Sequence, residues 1–172
     1  MSKFLRMTSL VATVAGLAIA TPAVAAPVNA TADANARVEI LKGLTLTSTQ
    51  DLDLGTVVLS GAGAWTATVS IDRSGSFDCD GGSGNVTCSG LTQAASYDVT
   101  GSAGYDVDIA SGNVTLTNAN SDTLTLVPDH DAVVTLDSGG AYTFGVGGSV
   151  DVSDATPDGV YSGTFAGTAE YQ

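Results

Sequence analysis

The residues richest in chemical possibility lie close together in DCDGGSGNVTC, where Cys79 and Cys88 enclose Asp80, Asn85 and the glycines 81, 82 and 84. The spacing is not the C-x-x-C of redox and zinc sites. The glycines suit a reversal of the chain. In an oxidising compartment two such thiols pair, so a Cys79–Cys88 disulfide stapling a hairpin is expected. Closing so short a loop stabilises a fold by about 2–3 kcal/mol on the chain-entropy model. Asp78, Asp80 and Asn85 carry the oxygen ligands that calcium favours, but no Glu closes the loop and its usual hydrophobic position is missing. The segment is therefore taken as a turn, with no metal assigned.

Catalytic groups are sparse. The single histidine, His130, sits in PDHDAV between Asp129 and Asp131. A triad needs a histidine placed against a nucleophile. Ser and Asp are so frequent in this chain that their co-occurrence with His130 carries no information. A loop position after Pro128 is the simpler expectation. The chain has no G-x-S-x-G, no H-E-x-x-H and no phosphate-cradling loop ahead of a helix. Carboxylate pairs of the glycosidase kind would depend on which strands meet. The expectation is a protein that is not an enzyme, with no catalytic residue and no cofactor.

The two ends bound the rest. MSKFLRMTSLVATVAGLAIATPAVAAP has a basic start at Lys3 and Arg6, an apolar stretch from Met7 to Ala20, and Ala23-Val24-Ala25 as a small-x-small cleavage pattern. This predicts a signal peptide over residues 1–25 and export to the periplasm, the cell surface or the medium. The apolar run is shorter than the roughly 20 residues a spanning helix needs, and no later run is apolar enough, so no membrane span is expected in the mature chain. The whole chain carries a net charge of −13. Removal of the leader leaves Arg37, Lys42 and Arg73 as its only basic residues, against 18 acids. Such a surface excludes nucleic acid and anionic lipid as partners.

The elements that position these residues are strands. Glu and Lys are scarce, while Thr, Val, Ser and Gly dominate. Alternating runs recur in LTLTS, DLDLGTVVLS (phase switching at Gly55), WTATVSID, SYDV, YDVDIA, NVTLTN, DTLTLVP, AVVTLD and YTFGVGGSVDV. Turn clusters such as SGAGA, TGSAG, NANSD, DSGGA and DATPDG separate them. Short strands with regular turns and no helix predict one all-β domain, a sandwich or barrel. Trp65, Tyr97, Tyr105 and Tyr142 fall in phase with aliphatic neighbours and are expected in the core. The closing GVYSGTFAGTAEYQ alternates glycine with Tyr161, Phe165 and Tyr171, as a half-buried terminal strand with those three rings facing inward.

One run is longer than a small sheet needs. VNATADANARVEI, residues 28–40, alternates apolar and polar throughout. As a strand it would span about 43 Å, well beyond the usual length.

The order of these segments resembles a known group. The alternating N-terminus is followed by LTLTSTQDLDLGTVVLSG, VTLTNANSDTLTL and YTFGVGGSVDVSDATPDGVYSGTFAGTAEYQ. In this order the chain is similar to the domain-of-unknown-function 4402 family of secreted bacterial proteins and, more distantly, to spore coat U and chaperone–usher pilin domains. The resemblance implies an immunoglobulin-like antiparallel β-sandwich over residues 38–172, missing one strand. It also implies an N-terminal extension, 26–37, able to act as a donor strand in a neighbour. Val28, Ala30, Ala32, Ala34 and Ala36 would face the neighbour's groove, and Val38 onward would begin the chain's own first strand. The implied function is that of a pilin-like structural subunit of the cell surface. Its implied partners are further copies, with a periplasmic chaperone and usher. The pilin cysteine of the first strand has no counterpart here. The alternative is a self-contained monomeric extracellular sandwich, such as a carbohydrate-binding module stacking sugars on exposed rings.

Overall fold

The computed structural model describes residues 29–172; the leader, its cleavage point at Ala25 and Val28 lie outside the described residues. The chain divides into two units, one ending at Val38 and the other spanning Glu39–Gln172. In the first, residues 29–38 form no strand and are exposed.

The second unit is built from twelve strands: β1 (Thr45–Gln50), β2 (Thr56–Leu59), β3 (Thr66–Ile71), β4 (Phe77–Asp78), β5 (Val86–Ser89), β6 (Ala95–Thr100), β7 (Asp106–Ser111), β8 (Val114–Thr117), β9 (Thr123–Asp129), β10 (Val133–Thr135), β11 (Ala141–Ser153) and β12 (Gly167–Tyr171). Every pairing is antiparallel, and no helix occurs among the described residues. The expected all-β sandwich is what forms. One sheet runs β1-β6-β11-β3-β4, with β9 pairing β11 and β8 pairing β9; the others are β10-β7-β12 and the ribbon β2-β5.

The long strand β11 organises the unit. Its first half, Ala141–Val146, pairs with β6, and its second half, Gly148–Ser153, pairs with β3. The glycines between are there for space. A Cβ at Gly145 would lie 2.0 Å from the Arg73 carbonyl oxygen, and one at Gly147 would lie 2.2 Å from that of Ile71. Any side chain at either position would collide with the backbone that leaves β3. The strand thus changes partners beside positions that lack side chains.

Alternation buries one face of each strand. Tyr97, Val99, Phe144 and Val146 pack against Val107, Ile109, Val134 and Leu136 in one apolar cluster. Val69, Val86, Val114, Leu126, Val150 and Val152 form a second. Leu52 and Phe165 touch both. The ring of Phe165 meets Tyr97 at 6.1 Å, and Tyr97 stacks on Phe144 at 5.7 Å.

Three expectations need correction. The domain's first strand begins at Thr45, not Val38: Val38 and Ile40 are 79% and 85% exposed. Residues 39–44 join no sheet ladder, and Lys42 is held by side chains instead. Its N–H donates to Ser102 Oγ at 2.8 Å, and its carbonyl accepts from the Tyr171 hydroxyl at 2.7 Å. Tyr142 is 39% exposed rather than in the core, because it lies near the start of β11 beside the turn at Gly140. The closing run is a ladder strand only over Gly167–Tyr171; before that, Thr117–Ser162 is its sole bridge among the described residues.

Candidate functional site

Two stretches at sheet edges face each other across a gap. On one side runs Ser48–Leu59, where β1 pairs with β6 and β2 with β5. On the other runs Asp154–Phe165, the approach to β12. Between them lies an open groove of about 1320 Å³. Its floor is Ala95 and Tyr97 of β6, Leu116 of β8, Leu124 and Leu126 of β9, and Val150 and Val152 of β11. All of these but Leu124 belong to, or pack against, one or other of the two apolar clusters, so the groove lies over the core. The rims are apolar in part as well: Val58 is 52% exposed on one and Val160 86% exposed on the other. Asp51, Asp53, Asp154 and Asp158 also line it, giving the mouth negative charge.

The groove differs along its length. Tyr97 and Phe165 fill the part nearer the start of β11 with rings, while Leu and Val floor the part nearer its end. Beyond Phe165 the gap closes. A Cβ at Gly167 would meet the Leu46 side chain at 3.4 Å, and Cα atoms of β1 and β12 come within 8 Å. A strand inserted between two others needs about 9.5 Å.

The far wall is held lightly. Buried Asn118 carries most of it. Its side-chain NH₂ donates to Asp122 Oδ2 at 3.0 Å and to the Asp158 carbonyl at 3.3 Å. Its Oδ1 accepts from the N–H groups of Asn120 and Asp122. Gly159 fits against it with φ +149°, where a Cβ would come 2.9 Å from Asn118 Nδ2. The Tyr161 hydroxyl donates to the Pro157 carbonyl at 2.9 Å. Desolvation first, then the charges of Asp122 and Asp158, push the Tyr161 phenol up. Burial likewise raises that of Tyr97.

At the closed end stands a second arrangement. The Tyr171 hydroxyl accepts from Ser102 N–H at 2.6 Å while donating to the Lys42 carbonyl. Tyr105 packs edge-on against the Tyr171 ring at 5.8 Å, and its hydroxyl donates to Glu39. The C-terminal strand thus pins the residues through which the N-terminal extension joins the domain.

The three terminal rings therefore have three places. Phe165 is half-buried against both apolar clusters and lines the groove, Tyr171 is in this pin, and Tyr161 is in the groove wall. Cys79 and Cys88 are bonded, with Cα atoms 5.8 Å apart. The bridge does not staple one hairpin: Cys79 follows β4, which pairs with β3, while Cys88 lies in β5, which pairs with β2. The carboxylates of the loop serve its own backbone. Asp78 accepts from Asp80 and Gly81 N–H, and Asp80 from Gly82 and Gly84 N–H. His130 follows β9, its Nδ1 2.9 Å from the Asp131 carbonyl. Arg73 bridges the flanking Asp129 and Asp131 at 3.3 and 3.2 Å. Among the described residues no three His, Cys, Asp or Glu side chains gather as metal ligands would.

Residue patterning alone did not place the groove; only the family resemblance, with its sandwich missing one strand, implied one.

Fold and groove together define a class: a helix-free antiparallel sandwich with an apolar gap along one side. The particular family is given by residues 44–171, which match the model of the domain of unknown function DUF4402; the chain belongs to that family. Comparison with curated proteins finds no match.

Proposed function

We propose that the protein is an exported structural subunit of the cell surface, pilin-like, that assembles by strand exchange and catalyses no reaction. The observation that carries this reading is the groove. Its floor is apolar, it is bordered by two sheet-edge stretches, and it lies over the core of a chain that also has an exposed alternating extension forming no strand. A strand laid in it would cover core side chains and pair with exposed backbone at once. Residues 28–36 of a neighbouring copy are the donor, and a periplasmic chaperone and usher guard the groove until the copy arrives.

The test is a pair of neighbouring substitutions in the mature protein, followed by size-exclusion chromatography and thermal melts. Ala32→Asp drives a charge into the apolar row and abolishes assembly while leaving the free domain's melting point unchanged. Thr31→Asp, on the opposite face, is tolerated, because side chains alternate. A mature protein that stays monomeric at high concentration, and whose melting point falls with Ala32→Asp, overturns the proposal in favour of a self-contained domain.

A further inference from the structure

We propose that the far wall of the groove is a strap poised to close. Residues 161–166 and β12 form one terminal strand, and its unpaired stretch closes onto the free edge of β8 around a bulge at Gly112 and Asn113.

Three observations carry it. The first is register. Gly167 of β12 faces Ser111 of β7. Counted back from there, Ser162 would face Leu116. It faces Thr117 instead, with a bond in each direction: Thr117 N–H donates to the Ser162 carbonyl at 2.8 Å, and Ser162 N–H to the Thr117 carbonyl at 3.1 Å. The two pairings thus belong to one antiparallel ribbon with an extra residue on the β7–β8 side. The second is phase. On that side the inward positions are odd-numbered in β7, at Val107 and Ile109, and even-numbered in β8, at Val114 and Leu116. The terminal run makes no such slip. Tyr161, Phe165, Gly167, Ala169 and Tyr171 are half-buried, and their immediate neighbours from Ser162 onward are exposed. An extra residue in one strand, with the partner's alternation unbroken, defines a β-bulge, and a glycine suits it. Gly112 and Asn113 then both lie opposite Ala166.

The third observation is the gap between the two pairings. β8 pairs on one side only, with β9. Alternation turns the main-chain groups of Thr115, like those of Thr117, away from β9 and toward the strap. The bulged register sets Thr164 opposite Thr115, yet no backbone bond joins them. The two chains are already close: a Cβ at Gly163 would lie 2.7 Å from the Thr115 carbonyl oxygen. Glycine leaves the backbone free to turn at that point, and the turn brings Thr115 and Thr164 into a bonded pair.

Closing needs no change of register, because both ends of the strap already hold the bulged one. Asn118 and the Thr117–Ser162 bridge latch one end, and the β12 ladder latches the other. In the closed strap the N–H and C=O groups of Tyr161, Gly163 and Phe165 turn together into the gap. An irregular wall becomes the edge of a sheet. What uses that edge rests on the strand-exchange reading; the closing of the strap does not.

The experiment is made on the mature chain. Thr115→Cys with Thr164→Cys sets two thiols at a hydrogen-bonded pair, whose Cα atoms stand about 5.5 Å apart in a closed ladder, within disulfide range. Thr115→Cys with Ser162→Cys sets them on a diagonal of roughly 7–8 Å, outside it. In a glutathione buffer the first pair is expected to bridge and the second to stay reduced, by intact mass and peptide mapping, with circular dichroism unchanged. In the unaltered chain the Thr164 amide is expected to exchange about tenfold more slowly than that of Val160, which lies ahead of the pairing. Bridging of both pairs alike, or of neither, overturns the closed register, and so does exchange at Thr164 as fast as at Val160. A chain that closes its strap yet stays monomeric keeps this inference and removes strand exchange.

Discussion

At the scale of single residues, the side chains that matter most are those that satisfy backbone groups no strand satisfies. Tyr171 is the clearest. The sequence marked it as an inward-facing ring, and its ring does pack on the core, but its hydroxyl does something no pattern announces: it joins Ser102 to Lys42 across the chain. Tyr171→Phe keeps the ring and removes both bonds. The expected cost is about 1–2 kcal/mol, or a fall of about 3–6 °C in the melting point, with the sheet signal in circular dichroism unchanged. An unaltered melt would mean that the hydroxyl carries no weight. Asp72 and Asp137 act similarly in turns. The Ser74 hydroxyl and then the Ser76 amide hold the Asp72 carboxyl below its usual value of 3.8, and the Ala141 and Gly139 amides do the same for Asp137. A depressed carboxyl stabilises the folded form above its unfolded value, and the effect is lost as pH falls through the lower, folded one. Titrated by NMR below about pH 4, the amides of Ser76 and Ala141 should lose protection together with their own loops. Asp72→Asn should remove the pH dependence of the first loop alone. Amides that hold unchanged to pH 2 would contradict this.

At the scale of elements, alternation was legible and partnership was not. WTATVSID and YDVDIA became β3 and β7 with Ala67, Val69, Ile71, Val107 and Ile109 buried, because the period of two belongs to the strand itself, while Trp65 and Tyr105, just ahead of the strands, are half-buried rather than in the core. Val38 and Ile40 carry the same period and are exposed, because burial needs a neighbour and sequence spacing does not supply one. GVYSGTFAGTAEYQ failed for the same reason over most of its length. The cysteines illustrate both halves. Their pairing followed from compartment and number, but the strands they join did not, since β4 and β5 look like one hairpin and pair apart. The bridge thus ties the β2-β5 ribbon to the sheet beneath. Replacing both cysteines with serine should cost about 2–3 kcal/mol on the chain-entropy model. The loss should appear first as faster amide exchange in the ribbon rather than in β6 or β11. Uniform loss of protection across both sheets would show that the bridge holds the whole domain instead.

At the scale of the whole molecule, the decisive feature is that the extension's root and the groove's mouth lie by opposite ends of β11. A contact made between two different patches does not close on itself in a pair, and it continues for as long as copies are supplied. The expected assembly is therefore linear, a ladder whose mean length grows with concentration, rather than a reciprocal dimer. A chain lacking residues 26–40 keeps its groove but has nothing to pass on, so it can only end a row. Mixed with intact protein, it should shorten the assemblies in proportion to its share. Mass photometry across a dilution series and a mixing series gives both readings. A discrete dimer at every concentration, unchanged by the shortened chain, would show that the extension is exchanged between two partners and that the closed end of the groove does not direct it.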